Sequence, residues 1–253
     1  MATSIQDIAF NKRRRKRVSS VVFIVLSILI GMFINERSVK TPAIDLSTAQ
    51  NSSTVSSADH AVLQKYQSAQ VGLNDLTVKG RAPKTNYRRT QFGNGWQKSG
   101  SCDTRNKVLA RDMTQVQFKD STCVVLSGIL QDPYTGKTIN FTRGNGTSDK
   151  VQIDHVVALS DAWQKGAQQL TPQLRESLAN DGINLLAVDG PANMQKSDGD
   201  AATWLPSNKP IRCAYVARQI SVKLVYSLWV TSAEKEAIGK ILTGCPDEPL
   251  TTP

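Results

Sequence analysis

The sequence of 253 residues has few cysteines, and several common functional motifs are missing from it. Its 4 cysteines include no CxxC pair, which argues against a zinc cluster, and they are too few for a disulfide-dense scaffold. No glycine-rich phosphate loop of the Walker or dinucleotide type occurs. The apolar fraction of 40% and the charged fraction of 21% exclude a multi-span membrane protein and a wholly disordered chain.

One long hydrophobic run, residues 18–34, directly follows six consecutive basic residues, 12–17. As a helix the run spans about 26 Å, near the short limit for crossing a bilayer. The basic residues favour a cytoplasmic N-terminus and an exported remainder. No small-x-small cleavage site follows at the expected place, so we expect a retained single-pass anchor in the cell membrane. The alternative is a cleaved signal peptide and a secreted protein.

Four segments are expected along the chain: a basic cytoplasmic N-terminus (1–17), a transmembrane signal anchor (18–34), a stalk (35–72) and a folded domain (73–248). The stalk is rich in Ser and Thr and has little apolar periodicity, and His60 falls in it as a solvated polar residue.

Within the folded domain, turn residues in QDPYTG separate two β-rich runs, CVVLSGIL and KTINF, and predict a hairpin. Apolar spacing predicts helices over 212–229 and 234–242. The expected fold class is α+β.

Five polar residues in the middle of the chain form a candidate site. Asp154 and His155 stand in the apolar, strand-like run VQIDHVVAL. Asn184 begins a second apolar strand, and Asn193 and Lys196 lie in a helix that follows a Gly-Pro turn. Taken singly, each has an ordinary structural explanation, such as a cap, a turn or a core histidine. A strand–strand–helix order would bring all five together.

The pattern Asp-His, then Asn-Leu, then Asn-x-x-Lys resembles the ββα-metal motif of HNH nucleases. The longer segments NYRRTQFGNGW, CDTRNKVLARDMT, DPYTGKTINF and NMQKSDGDAATWLPSNK look like exported HNH endonucleases of the DUF1524 group, which is related to the C-terminal nuclease domain of GmrSD restriction systems. The resemblance covers about residues 75–245. It implies a ββα-metal core with an added β-hairpin and C-terminal helices. The cysteine pairs that bind structural zinc in commoner HNH proteins are missing, and the resemblance implies that disulfides replace them.

The same resemblance implies a role for each site residue. His155 is the general base, because a neutral imidazole can take a proton from water near neutral pH. Asp154 and Asn193 are ligands of a divalent cation, for which Mg²⁺ is favoured and Mn²⁺ is the alternative, because hard cations prefer oxygen ligands. Asn184 orients the imidazole ring. Lys196 either contacts a phosphate or is a solvated surface lysine.

Half of the net charge of +10 lies in residues 1–34, and most of the rest is concentrated in one segment. Residues 79–119 contain ten basic and two acidic residues, interleaved with aromatic ones. This composition suits contacts with a nucleic-acid backbone, although a solvated face over core aromatics is the alternative. Four arginines are the predicted nucleic-acid-binding residues, the last two near the scissile phosphate: Arg88, Arg89, Arg105 and Arg111.

Export from the cytoplasm predicts that the four cysteines form two disulfides. Three pairings are possible, and free buried thiols are the alternative. We favour Cys102–Cys123 and Cys213–Cys245, because each pair joins neighbours along the chain.

The expected function is a metal-dependent endonuclease that acts outside the cytoplasm. DNA is favoured over RNA, with little sequence preference, because no recognition module such as a helix-turn-helix is present. The expected partners are nucleic acid and, through the N-terminal helix, the membrane. No protein partner is implied, and a monomer is expected. The alternative function is an extracellular nucleic-acid-binding module with a degenerate nuclease site.

Overall fold

A computed structural model describes residues 60–253. The predicted cytoplasmic N-terminus, the predicted transmembrane helix and most of the predicted stalk lie outside the described residues. Among residues 60–253, no helix has the length and apolar character needed to cross a bilayer. This part of the chain mixes short antiparallel sheets with several helices, in agreement with the predicted α+β class.

The strands of the described region form three small antiparallel sheets. Their order is β1–β2, β3–β4–β5 and β6–β7. The bounds are β1 (Lys98–Ser99), β2 (Cys102–Asp103), β3 (Met113–Phe118), β4 (Val125–Gln131), β5 (Thr138–Thr142), β6 (Val151–His155) and β7 (Leu185–Asp189).

The α-helices lie before, between and after these strands. Their bounds are α1 (Ala69–Asp75), α2 (Thr104–Asp112), α3 (Leu159–Gln164), α4 (Pro172–Asn180), α5 (Gly190–Lys196), α6 (Arg212–Val225) and α7 (Ser232–Leu242).

The predicted hairpin is confirmed as β4 and β5, with β3 added as a third strand. Its turn is closed by Asp132, whose carboxylate accepts a hydrogen bond from the Thr135 amide at 2.7 Å. Gly136 then adopts a φ of +75°, a left-handed conformation that favours glycine. The turn residues that predicted the hairpin therefore close it through side-chain and backbone chemistry.

The strand–strand–helix order expected around the site is present. In the antiparallel pair β6–β7, His155 lies opposite Leu185 and Val151 lies opposite Asp189. Helix α5 follows β7 at once, and Asp189 caps it by accepting from the Ala192 amide at 2.8 Å. Because helices α3 and α4 are inserted between the strands, the two halves of the site are distant in sequence and adjacent in space.

Glycine is required where β7 meets α5. A Cβ atom at Gly190 would lie 2.0 Å from the carbonyl oxygen of Asp149, closer than any real contact. The tight approach holds the start of α5 against the beginning of β6.

The C-terminal helices are close to the prediction. Helix α6 ends at Val225, four residues before the predicted end, because Ser227 takes a φ of +51° and breaks the helical path. Helix α7 begins at Ser232, two residues before the predicted start, with Thr231 as its side-chain cap.

The N-terminal part of the described region is packed into the domain. Buried residues begin at Leu63, upstream of the predicted start of the folded domain at residue 73, and include Ala69 and Leu73 in α1. His60 was predicted to be a solvated stalk residue, but its Nε2 lies 2.9 Å from a carboxylate oxygen of Asp181.

Both predicted disulfides are present: Cys102 is bonded to Cys123, and Cys213 to Cys245. The first joins β2 to the connection between β3 and β4. The second joins the first turn of α6 to the segment after α7. Every cysteine of the chain is therefore paired.

A balanced ionic network lies in the interior, except for Arg81 at its edge, which is partly exposed. It consists of three cations and three carboxylates: Arg81, Lys165, Lys223, Asp161, Asp200 and Glu234. The Lys165 ammonium, which is fully buried, lies 2.7 Å from Glu234 and 2.7 Å from Asp200. Charges removed from water need such partners, because an unpaired ion in the interior is strongly destabilising.

Candidate active site

His155 ends strand β6 with its imidazole buried and its tautomer fixed. Nε2 lies 2.9 Å from the carbonyl oxygen of Ala179 in α4. A carbonyl can only accept, so Nε2 carries the hydrogen and Nδ1 holds a lone pair. Among residues 60–253, Nδ1 has no hydrogen-bond partner. This ring can therefore accept a proton at Nδ1.

The surroundings of His155 keep the imidazole neutral. Burial lowers the pKa of His155 to about 3, and the positive charge of Arg89 acts in the same direction, while the Ala179 bond opposes it. Trp96 stacks on the ring, with centroids 5.8 Å apart and planes 9° from parallel. The ring is held in one orientation by a carbonyl on its edge and an indole on its face.

Asp154, the preceding residue, is buried, and both of its carboxylate oxygens accept hydrogen bonds. Oδ1 accepts from the Lys196 ammonium at 3.0 Å, and Oδ2 accepts from the Tyr134 hydroxyl. Burial raises the pKa of Asp154, and the charge of Lys196 is the main effect that lowers it again. Lys196 therefore helps to keep the carboxylate ionised.

The burial of Lys196 argues against one of its two predicted alternatives. It is 2% exposed, so it is not a solvated surface lysine. Its ammonium donates to Asp154 and, at 2.9 Å, to the carbonyl oxygen of His155, so it supports the site from within. In this geometry both contacts of the ammonium hold groups of the site in position.

Asn193 lies in α5 across a cavity from His155, and its amide orientation is set by Gln152. The Asn193 Nδ2 donates to the Gln152 Oε1 at 2.8 Å. This leaves the Asn193 Oδ1 as an acceptor without a partner among the described residues. Gln152 lies two residues before Asp154 on the same strand, and no sequence pattern singled it out.

Asn184 acts on the backbone around His155 and makes no bond to the ring itself. Its Oδ1 accepts from the Val157 amide at 2.8 Å, and its Nδ2 donates to the carbonyls of Val157 and Leu178. Leu178 precedes Ala179, whose carbonyl holds the imidazole. The fully buried amide thus joins the chain after His155 to the helix that fixes the ring.

The site residues surround a polar cavity of about 490 Å³. Asp154, His155 and Asn193 line it, together with Arg89 and Arg105 from the basic segment. The lining brings a proton acceptor, two kinds of oxygen ligand and two guanidinium groups to one place.

The four predicted nucleic-acid-binding arginines divide into two groups. Arg89 and Arg105 line the polar cavity, and Arg105 is anchored by donating to the Val151 carbonyl at 3.0 Å. Arg88 is exposed and does not line the cavity. Arg111 donates to the carbonyls of Gly182 and Leu185, so its guanidinium fixes the start of β7.

The donor set fits a hard divalent cation. Mg²⁺ is commonly held by one or two protein oxygens and completed by water and substrate phosphate oxygens. The Asp154 oxygens keep unused lone pairs, and the Asn193 Oδ1 is unpartnered within residues 60–253. Within residues 60–253, three His, Cys, Asp or Glu side chains lie close enough to share a metal ion at one place, and two of them are Cys213 and Cys245. Those two sulfurs are joined in a disulfide, so that cluster is not a metal site.

Cleavage of a phosphodiester uses a proton acceptor, oxygen ligands for a cation and guanidinium groups for the phosphate. The cavity brings these groups together, and this combination indicates a nuclease. The family model described as GmrSD restriction endonucleases, C-terminal domain, matches residues 103–241, more than half of the chain. The chain belongs to this family.

One relative covers most of the chain. A protein of Arthroderma benhamiae, described as an uncharacterized secreted protein, is 42% identical over 179 residues, which span 70% of this chain and 84% of that protein. No solved structure matches the chain.

Proposed function

We propose that this protein is a metal-dependent HNH endonuclease that hydrolyses phosphodiester bonds of nucleic acid outside the cytoplasm. The observation that carries the proposal is the free Nδ1 lone pair of the buried, neutral His155 beside the Asp154 carboxylate and the Asn193 amide oxygen. By this proposal β6, β7 and α5 form a ββα-metal core.

In the proposed reaction, His155 takes a proton from the attacking water at Nδ1. The bond from Nε2 to the Ala179 carbonyl holds the hydrogen on the other nitrogen and stabilises the imidazolium that forms. A pKa held low by burial makes the ring a weak base, which suits a water made more acidic by its environment. Asp154 and Asn193 would hold a divalent cation, which lowers the pKa of bound water and stabilises charge on the leaving oxygen.

The cations around the cavity have separate roles in the proposal. Arg89 and Arg105 would bind the non-bridging phosphate oxygens, for which a guanidinium is well suited. Lys196 keeps Asp154 charged and fixed. Asn184 positions the backbone around His155, and Gln152 orients the Asn193 amide.

The substrate and location are also proposed. The charged groups of the cavity support binding mainly through the nucleic-acid backbone, and the sequence has no recognition module, which supports little sequence preference. DNA is the proposed substrate. Action outside the cytoplasm is supported by the two disulfides and by the relative described as secreted. Anchoring by residues 18–34 and a monomeric state remain predictions from the sequence.

The test is cleavage of plasmid DNA by the purified protein with Mg²⁺ or Mn²⁺, with and without a chelator. His155→Ala should lower the rate by about two to four orders of magnitude if the imidazole is the general base. His60→Ala is the matched control, because it removes the other histidine of the chain, which is bonded to Asp181. DNA binding with no cleavage by the wild-type protein in any metal would favour the alternative, a binding module with a degenerate site.

A further inference from the structure

A second cavity, of about 400 Å³, adjoins the polar one and differs from it in character. Phe92, Trp96 and Leu159 provide apolar side chains, and Gly93 and Gly95 can provide only backbone atoms. Four residues line both cavities, so the two share a wall: Arg89, Trp96, His155 and Leu159. The roles proposed for the polar cavity involve charged and polar groups and leave the apolar cavity unexplained.

The wall of the apolar cavity is fixed in place by helix α4. Arg175 donates to the carbonyl of Gln91 at 2.8 Å. Asn180 accepts from the Gln97 amide at 2.8 Å. The segment 91–97 is therefore held from both ends by the same helix that provides the Ala179 carbonyl to His155. A volume of this size and a wall fixed before binding are typical of a ligand site.

We propose that the apolar cavity binds one unpaired nucleobase of the strand that is cut. The inference rests on the proposed function, because it takes the phosphate next to that base to lie in the polar cavity. It extends that function by naming an unpaired strand as the substrate.

The chemistry of a nucleotide matches the two cavities. A nucleobase is a flat ring with apolar faces, which aromatic side chains accept regardless of sequence. It is joined through its sugar to a phosphate, which needs cations, and Arg89 lies at the junction of the cavities. Thr90 and Asn94 are exposed at the wall and can meet the polar edge of the base. Because each type of base has such faces and edges, the site selects for an unpaired base with little regard to sequence.

A base in a duplex is stacked and paired, and it must be extracted before it can enter such a cavity. The proposal therefore predicts faster cleavage of single-stranded than of duplex DNA of the same sequence. It also predicts that one base at a fixed position relative to the cut bond contributes to recognition.

The test is cleavage of a set of single-stranded oligonucleotides in Mg²⁺, each with one abasic nucleotide at a different position. The abasic nucleotide keeps every phosphate and removes one base. We expect cleavage at a single bond, at a constant offset from the abasic nucleotide, to fall about 5- to 150-fold, the loss of one stacked base. Equal cleavage at every offset would overturn the base site while leaving the nuclease proposal intact. No cleavage of any oligonucleotide while plasmid DNA is still cut would also overturn the base site, and no cleavage of either substrate would contradict the nuclease proposal.

A variant connects the effect to the cavity. Thr90→Trp places an indole at the cavity wall and should abolish the difference between the abasic offset and the others. Thr142→Trp is the matched control on the exposed edge of β5, and it should keep that difference. Urea denaturation of both variants checks that they are folded. A folded Thr90→Trp variant with the wild-type offset pattern would overturn the assignment of this cavity.

Discussion

Removing the charge of Lys196 tests the centre of the site without removing a group that touches substrate. Its ammonium lies 3.0 Å from Asp154 Oδ1 and 2.9 Å from the His155 carbonyl, and the side chain is fully buried. Lys196→Met keeps an unbranched side chain and leaves a buried carboxylate without its ionic partner. Breaking a buried pair from one side costs about 3–5 kcal/mol, so we expect the free energy of unfolding to fall by that amount.

Urea denaturation followed by tryptophan fluorescence measures the change. With an m value of about 2 kcal/mol/M, the urea midpoint should fall by about 2 M. Lys84→Met is the matched control, because Lys84 pairs with Asp198 at 3.1 Å where both side chains are about half exposed. A surface pair of this kind contributes about 0–1 kcal/mol, so the control midpoint should stay near the wild-type value.

The same variant reports on the proposed metal site. In the wild-type protein a metal ion at Asp154 would share the carboxylate with the positive charge of Lys196. In Lys196→Met the metal ion would have the carboxylate to itself. Mg²⁺ or Mn²⁺ should therefore raise the midpoint of the variant more than that of the wild type, because a ligand stabilises the state that binds it. If Lys196→Met is as stable as the wild type, the buried ion pair does not have the strength argued for it. Equal metal effects on the two proteins would contradict Asp154 as a ligand.

Three further outcomes are expected. Between about pH 6.5 and pH 3 the unfolded chain binds a proton at His155 that the folded chain does not, so the free energy of unfolding falls as the pH is lowered. His155→Asn should remove up to about 5 kcal/mol of this pH dependence, measured by urea denaturation. The same pH slope in the variant and the wild type would contradict the low pKa of His155. Glu234→Ala should destabilise the protein by about 3–5 kcal/mol, while Glu236→Ala, at an exposed pair with a lysine, should leave the urea midpoint unchanged. Cys102→Ser and Cys213→Ser should each lower the free energy of unfolding by about 3–4 kcal/mol, because the disulfides close loops of 21 and 32 residues. Free thiols in the native wild-type protein would contradict both pairings.

Features that depend on local sequence were predictable. The strand that carries Asp154 and His155, the helix that carries Asn193 and the hairpin turn all have signals within a few residues of themselves. The disulfide pairing followed from proximity along the chain. These elements were predicted because periodicity and turn chemistry act over short distances.

Features that depend on long-range packing were not predictable. Lys196 has the same local sequence whether it faces solvent or Asp154, and only the packing of α5 on β6 decides between them. Charge density selected Arg88 and Arg111 together with Arg89 and Arg105, but the fold directs only the latter two toward the cavity. Tyr134, Gln152 and the Ala179 carbonyl were missed because each meets the site through a contact between separate elements.

The positions of Arg81 and of the wall of the apolar cavity bear on how much of the chain is needed for independent folding. The family match begins at residue 103, yet Arg81 completes the interior ion network and Trp96 stacks on His155. A fragment cut to the family boundaries would lack both residues, and also the helix α1 that covers α6 and α7. We therefore expect the minimal folding unit to start near Leu63. The family match would then carry the polar site residues, and the preceding forty residues would complete the core around them.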